Sequence, residues 1–344
     1  MTKKRQFVSQ GNEKKLREGE RLRKRDSRNL LKSESEIENL VSIQVRGRKL
    51  VPSLHSKDPE KNSELIIKDA ADNKEKVNYT RNNYFNNCFE GNEQAEVIKI
   101  IGKAARDGNL SILEKYKNQL DILQSPDLLG RTPLHYGIAF NRGKVVRFLL
   151  ASGVTVDPCD LLLETPLHYA AANKRHNYCP LLLEKGAKIN ASNKNGRTPL
   201  HIAARENNLC AIKTMLKYNT DVEVRDNIGY TPLQLACLEG ALQVVEALFE
   251  KVNVNSDKLD SKKLLHLAVQ SGNGDLVEYL LDQGLNINAQ NESEKTPLHL
   301  AFLYFSFQRN YKCWLIIKLL LKRSADYTIR DQAGKIPADY LQQS

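Results

Sequence analysis

One short motif recurs along most of this chain at an almost constant interval. Thr-Pro-Leu-His stands at residues 132–135, 165–168, 198–201 and 296–299, Thr-Pro-Leu-Gln at 231–234 and Lys-Leu-Leu-His at 263–266. In chain order, successive copies begin 33, 33, 33, 32 and 33 residues apart. A fixed period of this size is typical of proteins built from stacked structural repeats, because each unit buries its apolar face only against its neighbours.

Each copy of the motif is followed by the same order of residue types. Thr before Pro is typical of a helix start, because the hydroxyl can accept hydrogen bonds from unpaired amides and Pro fits the first turn. Small residues follow, as at 170–171, and then a polar break and a second apolar pattern at helical spacing, as in Val145, Phe148 and Leu149. The sequence therefore predicts two helices in each repeat.

This pattern resembles the ankyrin repeat, and the segments DLLGRTPLHYGIAFNRGKVVRFLLASGVTVD and NKNGRTPLHIAARENNLCAIKTMLKYNTDVE carry the resemblance nearly throughout. The resemblance covers residues 94–344 and implies an all-α helix-turn-helix solenoid with projecting β-hairpin fingers. We expect a partial repeat at 94–126, repeats at 127–159, 160–192, 193–225, 226–259, 260–290 and 291–330, and a partial C-terminal cap at 331–344.

Five of the seven histidines occupy one slot of the repeat, and they are His135, His168, His201, His266 and His299. A catalytic site does not need the same residue in every repeat, so this pattern favours a structural role. The ankyrin resemblance implies that these histidines connect the helix start to the finger by hydrogen bonds. Gln234 fills the same slot and can also donate and accept, so we expect it to preserve the network.

Motifs that carry enzyme chemistry are absent from the sequence. There is no glycine-rich phosphate or dinucleotide loop, no His-Glu-x-x-His and no Gly-x-Ser-x-Gly. The six cysteines form no Cys-x-x-Cys pair, which disfavours a zinc site and gives no sign of an oxidising compartment. We therefore expect a protein without enzymatic activity, cofactor or metal.

The resemblance implies a concave surface, made by the fingers and the exposed sides of the first helices, that binds protein partners. Two adjacent fingers, residues 127–131 and 160–164, carry leucines where the others hold polar residues. An exposed apolar patch commonly marks an interface; alternatively, these leucines pack against each other or under the N-terminal segment. Aromatic residues and Arg are frequent interface anchors, which makes Phe140 the leading candidate beside the leucines. The candidate partner-binding residues are Leu128, Leu129, Phe140, Leu161, Leu162, Leu163, Asn173, Arg205, Glu206, Tyr230 and Leu238.

The repeat that begins at Thr296 is seven residues longer than its peers, because the next comparable proline, Pro337, follows Pro297 after 40 residues. A long loop on a rigid scaffold is a common place for function, so this segment is a second candidate binding loop. The alternative is a local helix extension whose aromatic side chains cover the C-terminal cap. The residues concerned are Tyr304, Phe305, Phe307, Tyr311 and Trp314, the only tryptophan.

The first 93 residues differ from the repeats in composition. Residues 1–50 hold 15 Lys/Arg against 7 Asp/Glu, so they carry +8 of the net charge of +11. With few apolar residues to bury, the region is predicted to be disordered, with a short amphipathic helix near 30–45. Basic clusters such as residues 21–28 are of the nuclear-import or nucleic-acid-binding type, and a solvated charged helix is the alternative.

The N-terminal sequence lacks the apolar core of a signal peptide, and the longest apolar-rich run, residues 313–321, is too short to span a bilayer. We therefore expect a cytoplasmic or nuclear protein without membrane contact. The expected function is that of a scaffold or adaptor for a protein partner. The alternatives are a transcription cofactor or nucleic-acid-associated regulator with a basic tail. The layout of a basic segment, KLVP at 49–52 and repeats is also similar to the muscle ankyrin repeat proteins, which implies a sarcomere scaffold.

Overall fold

The computed structural model describes residues 93–343 apart from residues 175–176, 219, 253–260 and 309–310. The chain divides into two units, residues 1–79 and 80–344, and all described residues belong to the second. The disorder predicted for the N-terminal region and the helix predicted near 30–45 fall outside the described residues. The predicted repeat boundaries stay predictions.

Among the described residues, every regular element is a helix and none is a β-strand, so the all-α prediction is confirmed. In chain order the α-helices are α1 (Glu93–Asp107), α2 (Leu110–Glu114), α3 (Leu120–Leu123), α4 (Pro133–Ala139), α5 (Gly143–Ala151), α6 (Pro166–Ala172), α7 (Cys179–Glu184), α8 (Pro199–Arg205), α9 (Leu209–Met215), α10 (Pro232–Leu238), α11 (Leu242–Phe249), α12 (Ser261–Ser271), α13 (Gly274–Asp282), α14 (Pro297–Gln308) and α15 (Tyr311–Lys322). A terminal 3-10 helix spans Pro337–Gln343.

The Thr-Pro pair starts most of the first helices of the repeats. Thr132 is the N-cap of α4 with an extended backbone, Pro133 takes the first helical position, and α6, α8 and α10 start in the same way. Helix α12 is the exception, because it begins at Ser261. The motif there reads Lys-Leu-Leu-His, so it has neither a capping hydroxyl nor a proline to fix the first turn at this place.

The helices stack in single file, and the core lies between them. Each of α4, α6, α8, α10 and α12 packs against the next first helix, and the terminal 3-10 helix packs against α14. Two slots of the repeat, one in each helix, supply side chains that are at most 1% exposed. They are Leu134, Leu167, Leu200, Leu233, Leu265 and Leu298 in the first helix, and Leu149, Leu182, Met215, Leu248, Leu280 and Leu320 in the second. Stability therefore depends on contacts between neighbouring repeats.

A closed five-residue turn forms each described finger. In the first finger, the Asp127 amide donates to the Arg131 carbonyl at 2.9 Å, and Asp127 Oδ1 accepts from the Leu129 and Arg131 amides, both at 2.8 Å. The Leu161 amide of the second finger donates to the Leu129 carbonyl at 2.8 Å, which joins the two tips. Only the first side chain of the five takes part in this closure, so the residues at the second and third positions are not needed for it.

The surplus residues of the repeat at Thr296 lengthen both of its helices. Helices α14 and α15 have 12 residues each, whereas α4, α6, α8 and α10 have 7. The prediction of a long loop is therefore wrong, and the alternative, a helix extension, is observed. The physical reason is that no Gly, Pro or Asn occurs between Pro297 and Asn310, so nothing ends the first helix at its usual place.

None of the helices in the described part of the chain has the length and apolar content needed to cross a membrane.

Candidate functional site

Four leucines at the tips of the first two fingers are exposed to solvent. Leu128 is 59% exposed, Leu161 55%, Leu162 56% and Leu163 47%. We call these four residues the leucine patch. Leu129 is half-buried, and its carbonyl forms the joint between the two fingers, so it is separate from the patch. These four leucines do not bury one another, so the alternative in which the tip leucines pack against each other does not apply to them.

Leu163 has an unusual backbone conformation. The fourth finger position lies in the left-handed region in every described finger; it is glycine at 130, 196, 229 and 334, and it is Glu294 in the finger at 291–295. In the second finger this position is Leu163, with φ of 57°. A side chain with a Cβ atom in this region costs about 1–2 kcal/mol. The second finger therefore exposes a leucine at a position where glycine would remove the backbone strain.

The structure separates the other candidate positions from the leucine patch. They lie at the C-terminal ends of first helices, whereas the fingers precede the N-terminal ends, so a helix of about 10 Å lies between them. The residues at these ends are Phe140, Asn173, Arg205, Glu206 and Leu238. Phe140 is half-buried, and its ring centroid lies 6.3 Å from that of Tyr136. The sequence interpretation that placed Phe140 beside the leucines is not supported by this geometry.

Several of these residues take part in contacts within the stack. Asn173 Nδ2 donates to the Ile138 carbonyl at 2.8 Å and so links two neighbouring repeats. Arg205 and Glu206 form an ion pair at 3.3 Å. Their side chains are therefore partly occupied by structural bonds. Leu238 is half-buried at the end of α10.

Sequence reasoning missed an exposed apolar side chain on a fingertip. Ile228 is 64% exposed at the third position of the finger at 226–230, the position that Leu162 takes in its own finger. The signal was an apolar residue at a tip position that the turn does not require. The exposed Lys194 and Asn195 lie on the finger between them. Tyr230, which the sequence did indicate, is half-buried on the Ile228 finger.

The repeated histidines connect each helix start to the finger of the following repeat. The Thr132 amide donates to His135 Nδ1 at 3.1 Å, and Thr132 Oγ1 lies 3.0 Å from the same atom. On the other side, His135 Nε2 lies 3.2 Å from the Glu164 carbonyl of the next finger. An acceptor at Nδ1 and a donor at Nε2 define a neutral imidazole.

The same geometry recurs along the stack. His168, His201 and His299 make the equivalent contacts to their threonines and to a later finger carbonyl, with Nε2 distances of 3.0, 3.1 and 3.1 Å. His266 Nε2 lies 2.8 Å from the Lys295 carbonyl. Burial lowers the pKa of His135 to about 4, and it lowers the pKa of His168, His201 and His299 in the same direction. The four histidines with a lowered pKa are therefore neutral at physiological pH.

Gln234 reproduces only half of this arrangement. Its Oε1 accepts from the Thr231 amide at 3.0 Å, as the histidine Nδ1 does elsewhere. Its Nε2 is buried and has no hydrogen-bond partner among the described residues. The expectation that glutamine preserves the network is therefore wrong on the finger side. The reason is that Lys262, which corresponds to the finger residue that would supply the carbonyl, lies inside helix α12.

Comparison with known proteins agrees with this architecture. A family model described as ankyrin repeats, in three copies, matches residues 101–193, 188–260 and 250–331, which is more than half of the chain. The chain belongs to the ankyrin repeat family. Ankyrin repeats are generally modules for protein–protein interaction, so the exposed surfaces of this ankyrin stack are the places to look for function.

Three curated proteins contain segments similar to this ankyrin chain. A putative ankyrin repeat protein of Rickettsia bellii is 36% identical over 99 residues, which are 28% of this chain and 51% of that protein. Alpha-latrotoxin-Lg1a of Latrodectus geometricus is 38% identical over 103 residues, and diacylglycerol kinase iota of Mus musculus is 38% identical over 84 residues. These two matches cover 28% and 24% of this chain and 7% of each relative. The chain thus spans about half of the first relative and a small part of the other two.

The second candidate segment of the ankyrin stack lies on two helices. Phe307 and Tyr311 are 74% and 69% exposed, while Tyr304 is half-buried. Phe305 is only 9% exposed, and its ring centroid lies 6.0 Å from that of the half-buried Trp314. The structure therefore divides these aromatic residues into a packed pair and two side chains that point to solvent.

Reactive chemistry has little support in the described part of this ankyrin protein. No group of three or more His, Cys, Asp or Glu residues that could hold a metal ion occurs there. Burial raises the pKa of the Cys179 thiol to about 12 and also raises that of Cys237. Thiols of this kind stay protonated at neutral pH, whereas a nucleophilic cysteine needs a lowered pKa.

Proposed function

We propose that this protein is a non-enzymatic scaffold or adaptor that binds a protein partner through its first two fingers. The observation that carries the proposal is the leucine patch, in which four exposed leucines lie on adjacent fingers. Each finger turn closes through its own backbone and its first side chain, so the fold does not require leucine at the second and third tip positions. An apolar side chain that the fold does not need, and that water surrounds, favours a role in binding.

The size of the patch fits this role. With roughly half of each side chain exposed, the four leucines present on the order of 300–400 Å² of apolar surface, within the range of the largest patches on monomeric proteins, which are often functional. This area is smaller than the ~800 Å² that each partner contributes to a standard interface. The leucines would therefore form the centre of an interface whose rim lies on neighbouring polar residues.

The conformation of Leu163 supports the same proposal. Residues held in strained backbone conformations cluster at functional sites, where the surrounding structure maintains them. The finger at 160–164 is held in place on both sides, because the Leu161 amide donates to the Leu129 carbonyl at 2.8 Å and the Lys194 amide to the Leu162 carbonyl at 2.9 Å. The strained leucine is thus presented on a fixed support, which lowers the entropy cost of binding.

For location, we propose the cytoplasm or the nucleus. The basic clusters within residues 1–50 motivate the nuclear alternative, in which the chain regulates transcription or associates with nucleic acid. Loss of salt-dependent binding to arbitrary DNA on deleting residues 1–50 would favour that alternative over a pure protein scaffold.

The test is a double substitution in the full chain, Leu128→Ser with Leu162→Ser, followed by affinity capture and thermal melting. We expect an unchanged melting temperature, because neither side chain contributes to the turn. Capture of the partner should weaken at least tenfold, which corresponds to ~1.4 kcal/mol, and buried anchors commonly contribute more than ~1 kcal/mol each.

Tyr327→Ser is the matched control, because Tyr327 is 44% exposed but lies far along the chain from the patch. It should leave both melting and capture unchanged. If the double variant melts early, the leucines are packing residues. If it melts and binds normally, the interface lies elsewhere on the stack.

A further inference from the structure

Helices α14 and α15 are both longer than the corresponding helices of the neighbouring repeats. Counted back from the left-handed residue that ends each second helix, α13 begins ten residues before Gly284 and α15 begins thirteen residues before Ser324. Helix α14 has 12 residues where most first helices have 7. Three to five extra residues on either side of a turn correspond to about 5–8 Å at 1.5 Å per residue.

The exposed side chains of this extension are apolar. Phe307 near the end of α14 is 74% exposed, Tyr311 at the start of α15 is 69% exposed, and Leu315 one turn later is 46% exposed. We call these three residues the aromatic corner. The neighbouring second helix α13 carries Asp275 at the position that corresponds to Leu315. The aromatic corner therefore exposes apolar side chains where the adjacent repeat exposes a carboxylate.

The charge of this segment is positive. From Pro297 to Lys322 the sequence contains no Asp or Glu, and the basic residues include Lys312, Lys318 and Lys322. Lys318 lies over the ring of Trp314, with its Nζ atom 5.6 Å from the ring centroid. Aromatic residues combined with lysines and without carboxylates are the composition found at membrane–water interfaces.

The acidic residues of the neighbouring helix α13 are set back from Tyr311 and partly paired. Asp275 is level with Leu315, about 6 Å along the helix behind Tyr311. On the same helix, Glu278 and Asp282 form ion pairs with Arg323 at 2.8 and 2.7 Å. An anionic surface that approaches the aromatic corner therefore meets Lys312 before it meets these carboxylates.

We propose that the aromatic corner docks this protein onto an anionic lipid bilayer, with Phe307 and Tyr311 inserted at the headgroup boundary. A bilayer surface adapts to the shape of the corner, whereas a peptide would need a groove. The extension of about 5–8 Å is comparable to the ~5–10 Å depth at which interfacial helices lie. The proposal differs from the expectation of no membrane contact, which depended on the lack of a spanning segment; a surface contact does not need such a segment.

The single tryptophan of the chain allows a specific test of this corner. Trp314 lies three residues after Tyr311 on α15 and packs against Phe305. The full chain is mixed with vesicles of equimolar phosphatidylserine and phosphatidylcholine, the latter brominated in its acyl chains. We expect the bromine to quench Trp314 fluorescence, and we expect vesicles of brominated phosphatidylcholine alone to quench it far less. Because the N-terminal region has no tryptophan, quenching reports contact at the corner and not at the basic tail.

Two variants with matched controls complete the test. Phe307→Ser with Tyr311→Ser should weaken the quenching titration at least tenfold, whereas Ile228→Ser, which removes another exposed apolar side chain, should not change it. Lys312→Glu should weaken it at least about fivefold, since loss of one lysine charge near an anionic surface alone corresponds to a factor of this size, and Lys144→Glu on α5 should have no effect.

Three results would overturn the proposal. In the first, the protein sediments with vesicles but Trp314 is not quenched. In the second, the double variant is quenched as strongly as the wild type. In the third, the protein does not bind vesicles. The first result would assign lipid binding to the basic tail. The last, together with capture of an acidic protein that depends on Phe307 and Tyr311, would assign the corner to a protein partner. If circular dichroism shows that the double variant is unfolded, the effect of Lys312→Glu on quenching decides whether the corner binds the bilayer.

Discussion

Replacing His135 with glutamine should remove part of the sensitivity of this protein to acid. The folded state holds His135 neutral, because its Nδ1 accepts a hydrogen bond from the Thr132 amide and burial lowers its pKa from 6.5 to about 4. The unfolded chain takes up a proton at this residue below pH 6.5, but the folded chain does so only below about pH 4. Stability is therefore complete above pH 6.5, falls as the pH decreases from 6.5 to 4, and changes no further below that.

The two pKa values set the size of the effect. At about pH 5 the unfolded histidine is mostly protonated and the folded one mostly neutral, so the free energy of unfolding is lower by about 2 kcal/mol than at about pH 7.5. Glutamine cannot take up this proton, yet its Oε1 can still accept from the threonine amide, as Gln234 does from Thr231 at 3.0 Å. The His135→Gln variant should therefore lose about 2 kcal/mol less than the wild type between the two pH values.

Urea unfolding, followed by far-ultraviolet circular dichroism at about pH 7.5 and about pH 5, measures this difference directly. Tyr327→Ser serves as a control, because it changes an exposed side chain and should leave the pH dependence of the wild type intact. If the wild type and His135→Gln lose the same free energy on acidification, the imidazole is not held neutral in the folded state and the proposed hydrogen-bond arrangement at Thr132 is wrong.

Three further experiments test backbone and hydrogen-bond features of the stack. Leu163→Gly should raise the urea midpoint, because relief of ~1–2 kcal/mol of left-handed strain exceeds the ~0.5–1 kcal/mol entropy cost of glycine; a lower midpoint would show that the leucine contributes packing. Gly196→Ala should lower the melting temperature more than Gly229→Ala, because only at Gly196 would the new Cβ meet a neighbour, the Asn227 amide at 2.9 Å; equal decreases would contradict this. His201→Ala should lower the free energy of unfolding by roughly 1–3 kcal/mol and His201→Gln by less, and calorimetry that finds the two equal would refute a hydrogen-bonding role.

The period of the repeat and the starts of most first helices could be predicted from the sequence, because local chemistry fixes them. A capping threonine and a proline in the first turn act within a few residues, so their effect can be predicted from the local sequence. The same is true of the buried leucine beside each histidine slot. Where these letters change, at Lys263, the helix also changes and begins earlier.

Features that depend on neighbouring repeats could not be predicted in the same way. Glutamine and histidine offer the same donor and acceptor, so the sequence could not show that the carbonyl opposite Gln234 would be missing. The aromatic segment after Thr296 favoured a loop by its length, whereas the lack of a helix-breaking residue decided the outcome. Phe140 is separated from the fingertips because α4 runs between them. The candidate residues were chosen by their position in the repeat, which does not show at which end of the helix each one lies.

The unpaired amide of Gln234 has a consequence for how the stack would come apart under force. At the histidine slots, the imidazole forms a hydrogen bond with a backbone carbonyl of the following finger. This bond crosses the boundary and resists the separation of neighbouring repeats. At Gln234 the described residues hold no such joint, and the boundary is held by apolar contacts and by the hydrogen bond from Asn273 Nδ2 to the Gly240 carbonyl at 2.8 Å. A pull on the two ends of the array should therefore open it first between α10 and α12, which would divide the solenoid into two blocks before either block unravels.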